Sequence, residues 1–127
     1  HFVNPNDLDK CVRYYSSRVF TPNALRFGFM PAHPSFYVRR ECYRRYGCYD
    51  LAYRIASDYD LMVRFFYKHK ITYSYIKKDM VTMRTGGLNR ILITTEDVKA
   101  CRKNGMYSNW LLMSFKYFYK VFEIRLF

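Results

Sequence analysis

The stretch Ile55-Ala56-Ser57-Asp58-Tyr59-Asp60-Leu61-Met62-Val63-Arg64 predicts a helix that begins with two carboxylates. Ser57 is a favourable N-cap residue, because its hydroxyl can accept a hydrogen bond from a free amide of the first turn. Asp58 and Asp60 then fall in that turn, where the helix dipole favours negative charge. A carboxylate at the start of a packed helix can be aimed at a cleft, but first-turn acids often only stabilise their helix. Both interpretations of the two aspartates stay open at this point.

The residues around this stretch predict an α/β fold. Leu61 with Phe65, and Met62 with Phe66, repeat four positions apart and give the helix an apolar face as far as His69. Further helices are predicted at residues 39–46, ending at Gly47, and 95–104, ending at Gly105. Strands are predicted at residues 2–3, 11–15, 35–38, 71–76 and 80–84.

Composition bounds the class of protein. The chain has 127 residues, of which 50% are apolar and 20% aromatic, so one domain with a real core is expected. Its formal net charge of +12 implies an anionic partner, which is a nucleic acid, a lipid surface or a phosphorylated ligand. The four cysteines lack zinc-ligand spacing, which predicts reduced, mostly buried thiols in a cytosolic protein and no metal site built from these cysteines.

The C-terminal segment, residues 108–127, predicts an aromatic and basic helix that is partly amphipathic. Such a helix can lie in a membrane interface, or it can pack on its own domain or on a partner. No run of 18 apolar residues occurs, so no membrane-spanning segment is predicted.

His33 lies between Pro31 and Pro34, which restrict the backbone on both sides. A histidine held in this way is a candidate functional group, although a structural histidine bonded to the backbone fits the pattern equally well. Gly86 and Gly87 permit either the close approach of a ligand or merely a tight turn.

Five motifs occur in a fixed order along the chain. They are Met30-Pro31-Ala32-His33-Pro34-Ser35-Phe36-Tyr37-Val38-Arg39-Arg40-Glu41, Tyr46-Gly47, Ala56-Ser57-Asp58-Tyr59-Asp60-Leu61-Met62-Val63-Arg64-Phe65, Met83-Arg84-Thr85-Gly86-Gly87 and Lys103-Asn104-Gly105. In this order and at these separations, the motifs resemble the C-terminal half of a bacterial family 2 glycosyltransferase, nearest to the sugar transferases of polysaccharide and cell-wall gene clusters. The resemblance runs from about Asn4 to about Gly105.

The resemblance implies an A-type glycosyltransferase fold, with residues 1–105 as the acceptor-binding half, a mixed sheet with flanking helices, and residues 106–127 as an added amphipathic helix. It also implies transfer of a sugar from a nucleotide-diphosphate sugar to a hydroxyl of a glycan or lipid-linked acceptor, with inversion. The nucleotide-binding half and its D-x-D motif, with most ligands of a Mg²⁺ or Mn²⁺ ion, are expected upstream, so this fragment alone is expected to be inactive. The implied location is cytoplasmic, peripheral at the inner membrane face.

The resemblance also assigns the site residues. Asp58 matches the catalytic base, and Ser57 stands where the family often has Glu. Asp60 either supports the helix start or bonds the acceptor, and Arg64 pairs with a local acid. The other substrate-binding candidates are His33 on the acceptor side and Arg84 and Gly86 near the diphosphate. In many relatives a His follows the arginine that matches Arg84, and this chain has no His there.

A second hypothesis is a non-catalytic basic module that binds anionic lipid or nucleic acid. The aromatic residues follow strand and helix periods and therefore indicate core, and the basic residues are scattered. The partners that the resemblance implies are a nucleotide-sugar donor, a glycan or lipid-linked acceptor and a membrane surface, and no nucleic acid is expected.

Overall fold

The computed structural model describes residues 2–4, 6–84 and 90–125, and it shows a small mixed α/β fold. Strand β1, Phe2–Asn4, pairs antiparallel with β2, Asp7–Arg13, and parallel with the short β3, Met83–Arg84. The sheet order β2-β1-β3 places β1 in the centre, where Val3 is buried. This confirms the α/β class and a mixed sheet.

The central helix is the one that the opening stretch predicts. Helix α2, Ser57–Met62, continues directly into a π-helical segment, Val63–Lys68, in which the His69 amide donates to the Arg64 carbonyl at 3.0 Å. The apolar face of this continuous helix is buried, as its four-residue spacing predicts. Its fully buried apolar side chains are Tyr59, Leu61, Met62, Val63, Phe65 and Phe66.

The other helices surround α2. Helix α1, Arg40–Tyr46, packs on the π-helical segment, and Tyr46 stacks on His69 with ring centroids 4.3 Å apart. Helix α3, Arg90–Lys103, packs on α2, and helix α4, Trp110–Arg125, packs on α3 and on a short 3₁₀ helix, Pro22–Phe27. Gly47 and Gly105 have φ of 90° and 78°, so both predicted glycine stops are confirmed.

Several local predictions are wrong. Residues 35–38 are not a strand, because Pro34 helps to form a 3₁₀ helix at His33–Ser35 whose Ser35 hydroxyl donates to the Ala32 carbonyl. Residues 71–76 are irregular and mostly exposed, since no described strand pairs with them. Residues 80–84 contribute only Met83–Arg84 to the sheet.

The cysteines also depart from expectation. Cys101 is buried and Cys42 is half-buried, but Cys11 and Cys48 are exposed. In the part of the chain that the structure describes, no helix combines the length and hydrophobicity needed to cross a bilayer.

Candidate functional site

The start of α2 and the His33 turn bring two of the candidate residues into contact. Nδ1 of His33 lies 3.3 Å from Oδ2 of Asp58, and the side chains are 54% and 22% exposed. Oδ1 of Asp58 accepts a hydrogen bond from the Tyr59 amide at 2.8 Å, which fixes the orientation of the carboxylate. The result is an imidazole and a carboxylate that are held against each other and remain open to solvent.

The start of α2 is not capped as predicted. The Ser57 hydroxyl donates to the Asp50 carbonyl at 2.8 Å, and the N-cap position belongs to Ala56. The Glu96 carboxylate of α3 replaces a local cap, since it accepts from the amides of Arg54, Ile55 and Ala56 at 2.7–3.0 Å. The carboxylate that accepts these three hydrogen bonds therefore comes from another helix, and Asp58 takes no part in them.

Burial and hydrogen bonding act in opposite directions on the pKa of Glu96. Burial alone would raise its pKa, but the three amide hydrogen bonds and the charge of Lys99 together lower that pKa. Glu96 is consequently ionised at neutral pH, where it accepts the three hydrogen bonds at the entrance to α2.

Tyr59 anchors the first turn of α2 in the core. Its hydroxyl donates to the Leu25 carbonyl and lies 3.3 Å from the Cys101 sulfur. Burial, with a contribution from Cys101, raises the pKa of Tyr59 well above its usual range, so the phenol remains a donor. Because Tyr59 points inward, the preceding residue, Asp58, is placed nearer the surface.

Asp60 lies beneath this surface and is fully buried. Its carboxylate accepts from the Asn104 side-chain amide at 2.9 Å, and it lies 3.3 Å from the Arg64 guanidinium and 3.6 Å from the Lys103 ammonium. The pairing of Arg64 with a local acid is thus observed. Full burial favours the supporting role for Asp60 over contact with an acceptor.

A buried ion pair adjoins the site and was missed by sequence reasoning. Nζ of Lys116, on α4, lies 2.5 Å from Oδ2 of Asp97, on α3, and both residues are almost inaccessible. Burial raises the pKa of Asp97 and Lys116 opposes the rise, while the charges of Asp58 and Glu96 add to it. The only signal in the sequence was that Lys116 follows the apolar Met113 by three residues, a spacing that places both on one side of a helix.

Of the two remaining candidates, the structure describes Arg84. Arg84 lies in β3, where it pairs with Val3 of β1, and its side chain is exposed. Gly86 lies outside the described residues. The structure therefore unites His33 with Asp58 and places Arg84 in a different element.

A groove lies beside the His33 turn, and a smaller cavity lies near Met30. A groove of about 730 Å³ lies along the irregular residues 71–81, and neither His33 nor Asp58 contributes to its lining. Its walls combine aromatic rings with basic side chains, including Tyr14, Phe36, Tyr73, Arg18, Arg45 and Lys78. A smaller cavity of about 220 Å³ is mainly apolar and is lined by Val19, Phe20, Phe29, Met30 and Tyr119, among others.

Metal ligands do not cluster in the described part of the chain. Within residues 2–4, 6–84 and 90–125, no three His, Cys, Asp or Glu side chains lie together so that they could hold a metal ion.

No protein-family model, no curated protein and no solved structure matches the chain. The contacts around Asp58 and the resemblance of the motifs are therefore the support for a function.

Proposed function

We propose that this chain is the acceptor-side half of a glycosyltransferase with an A-type fold, and that Asp58 is its catalytic base. The observation that carries the proposal is the contact of 3.3 Å between Asp58 and His33, two solvent-accessible groups from motifs far apart in the sequence. An aspartate that only stabilises the first turn of its helix would do so without contact to an exposed imidazole.

The proposed reaction is an inverting displacement at the anomeric carbon of a nucleotide-diphosphate sugar. The acceptor hydroxyl oxygen forms a bond to that carbon, and the bond between the carbon and the diphosphate oxygen breaks. Asp58 takes the hydroxyl proton, and the nucleoside diphosphate leaves with the bonding electron pair. His33, in contact with Asp58, orients the carboxylate and contacts the acceptor, while Asp60 and Glu96 hold the helix start in place.

The test uses the protein encoded by the complete coding sequence, with release of nucleoside diphosphate measured over a panel of UDP- and GDP-sugars. Asp58→Asn is expected to lower kcat about 100-fold or more and to leave KM for the donor nearly unchanged, because only proton transfer is lost. His33→Gln is expected to have a smaller effect.

Asp9→Asn is the matched control, since Asp9 is an exposed aspartate of β2. Wild-type turnover by Asp58→Asn would overturn the role of Asp58. Failure of the whole protein to release diphosphate from any of these donors would overturn the transferase itself.

The aromatic and basic groove favours a second candidate, the binding of single-stranded nucleic acid. Bases could stack on rings such as Tyr73, while Arg18 and Arg45 face the phosphates. This function predicts salt-dependent binding of oligonucleotides that Arg45→Glu weakens and Asp58→Asn leaves unchanged. Absence of salt-dependent binding would remove this candidate.

A further inference from the structure

Over Trp110–Tyr119, the outward face of α4 is apolar where a solvated helix would be polar. Two rows of residues at four-residue spacing form this face, one of them Trp110, Ser114 and Phe118, and the other Leu111, Phe115 and Tyr119. The five large side chains are each 46–73% exposed. The single small polar group, the Ser114 hydroxyl, donates to the carbonyl of Trp110 in its own helix.

Lys116 of α4 does not face solvent but points into the domain, where it pairs with Asp97. Over Trp110–Tyr119, the outer surface of α4 instead displays five large apolar side chains next to one another. A contiguous exposed apolar patch of this kind marks a surface that interacts with a partner or a membrane.

The apolar face continues onto neighbouring elements. Phe115 packs edge-on against Phe27 at 6.0 Å, and Tyr119 packs edge-on against Phe29 at 5.0 Å. Tyr119 also lines the apolar cavity of 220 Å³, whose other wall includes the highly exposed Val19. The surface available for docking is therefore an extended patch with a recess at one end.

We propose that this patch docks onto an anionic membrane surface, with the Trp110–Tyr119 face of α4 in the interfacial region of the bilayer. Trp, Tyr and Phe side chains are those that partition into this region. The net charge of +12 supplies attraction to anionic headgroups, and exposed bases lie close by in sequence or on a packed helix, namely Arg18 beside Val19, and Lys99 and Arg102 on α3.

The same charge disfavours a second copy of the chain as occupant. Two molecules that met through this face would each carry a net charge of +12, and their repulsion opposes association. The docking proposal does not depend on catalysis by Asp58, so each proposal can fail without the other.

The only tryptophan of the chain, Trp110, lies on the proposed face and provides the readout. The chain is mixed with vesicles of phosphatidylcholine alone, or of phosphatidylcholine with phosphatidylglycerol, and binding is followed by sedimentation and by Trp110 emission. Vesicles that contain phosphatidylglycerol are expected to shift the emission to the blue and to co-sediment the protein, with weaker binding at high salt.

The test variant is the double substitution Leu111→Glu and Phe118→Glu, at positions 73% and 64% exposed. It is expected to lower the partition coefficient about tenfold or more, because apolar burial is lost and two negative charges face the anionic lipid. The control, Leu8→Glu with Leu51→Glu, makes the same charge change at exposed leucines of β2 and of the segment between α1 and α2, and is expected to retain most of the binding.

Equal loss in the test and control variants would overturn the role of α4 and leave only net charge. Equal binding to vesicles without phosphatidylglycerol would overturn the choice of an anionic surface. A concentration-dependent dimer in light scattering, abolished by the test variant and unaffected by vesicles, would assign the face to a second copy instead.

Discussion

At the scale of single residues, Glu96 shows how a distant side chain can replace a local cap. Three consecutive amides before α2 donate to one carboxylate, and that arrangement lowers the pKa of Glu96. Since the folded-state pKa is lowered, the stabilisation is fully present above the unfolded Glu pKa and is lost as pH falls through the folded value.

Glu96→Gln is therefore expected to reduce the free energy of unfolding at neutral pH by about 1–3 kcal/mol, because one acceptor oxygen becomes an amide donor. The difference from wild type should shrink in acid, below the usual Glu pKa of about 4.3. Urea unfolding at several pH values measures it. Glu41→Gln, an exposed position on α1, is the control, and a difference that does not vary with pH would contradict this account.

At the scale of elements, the pair Asp97–Lys116 joins α3 to α4 beside the candidate site. Lys116→Met is expected to destabilise the fold by about 3–5 kcal/mol, because it leaves the Asp97 carboxylate buried without a partner. The double variant Asp97→Leu with Lys116→Met should recover most of this loss, which a double-mutant cycle measures. The control Lys10→Met, at an exposed position of β2, should change the free energy of unfolding little. A double variant no more stable than Lys116→Met would contradict the cost assigned to the unpaired Asp97 carboxylate.

At the scale of the whole molecule, local patterns predicted the helices and the Asp58 and His33 candidates. Repeats at four-residue spacing and the glycines at 47 and 105 act within one helix, so the chain shows them directly. The strands were predicted less well, since the alternation in residues 71–76 has no described partner strand. Glu96 and Lys116 were missed because their partners lie on other elements, and only tertiary packing brings them together.

The π-helical turn at Val63–Lys68 has a consequence for chain length. A wide turn holds one residue more than the α-helical turn that it replaces. Related chains with one residue fewer between Met62 and His69 are therefore expected to form an ordinary α-helical turn there. The residues on either side should keep their places, so that a ring at the position of His69 still stacks on Tyr46.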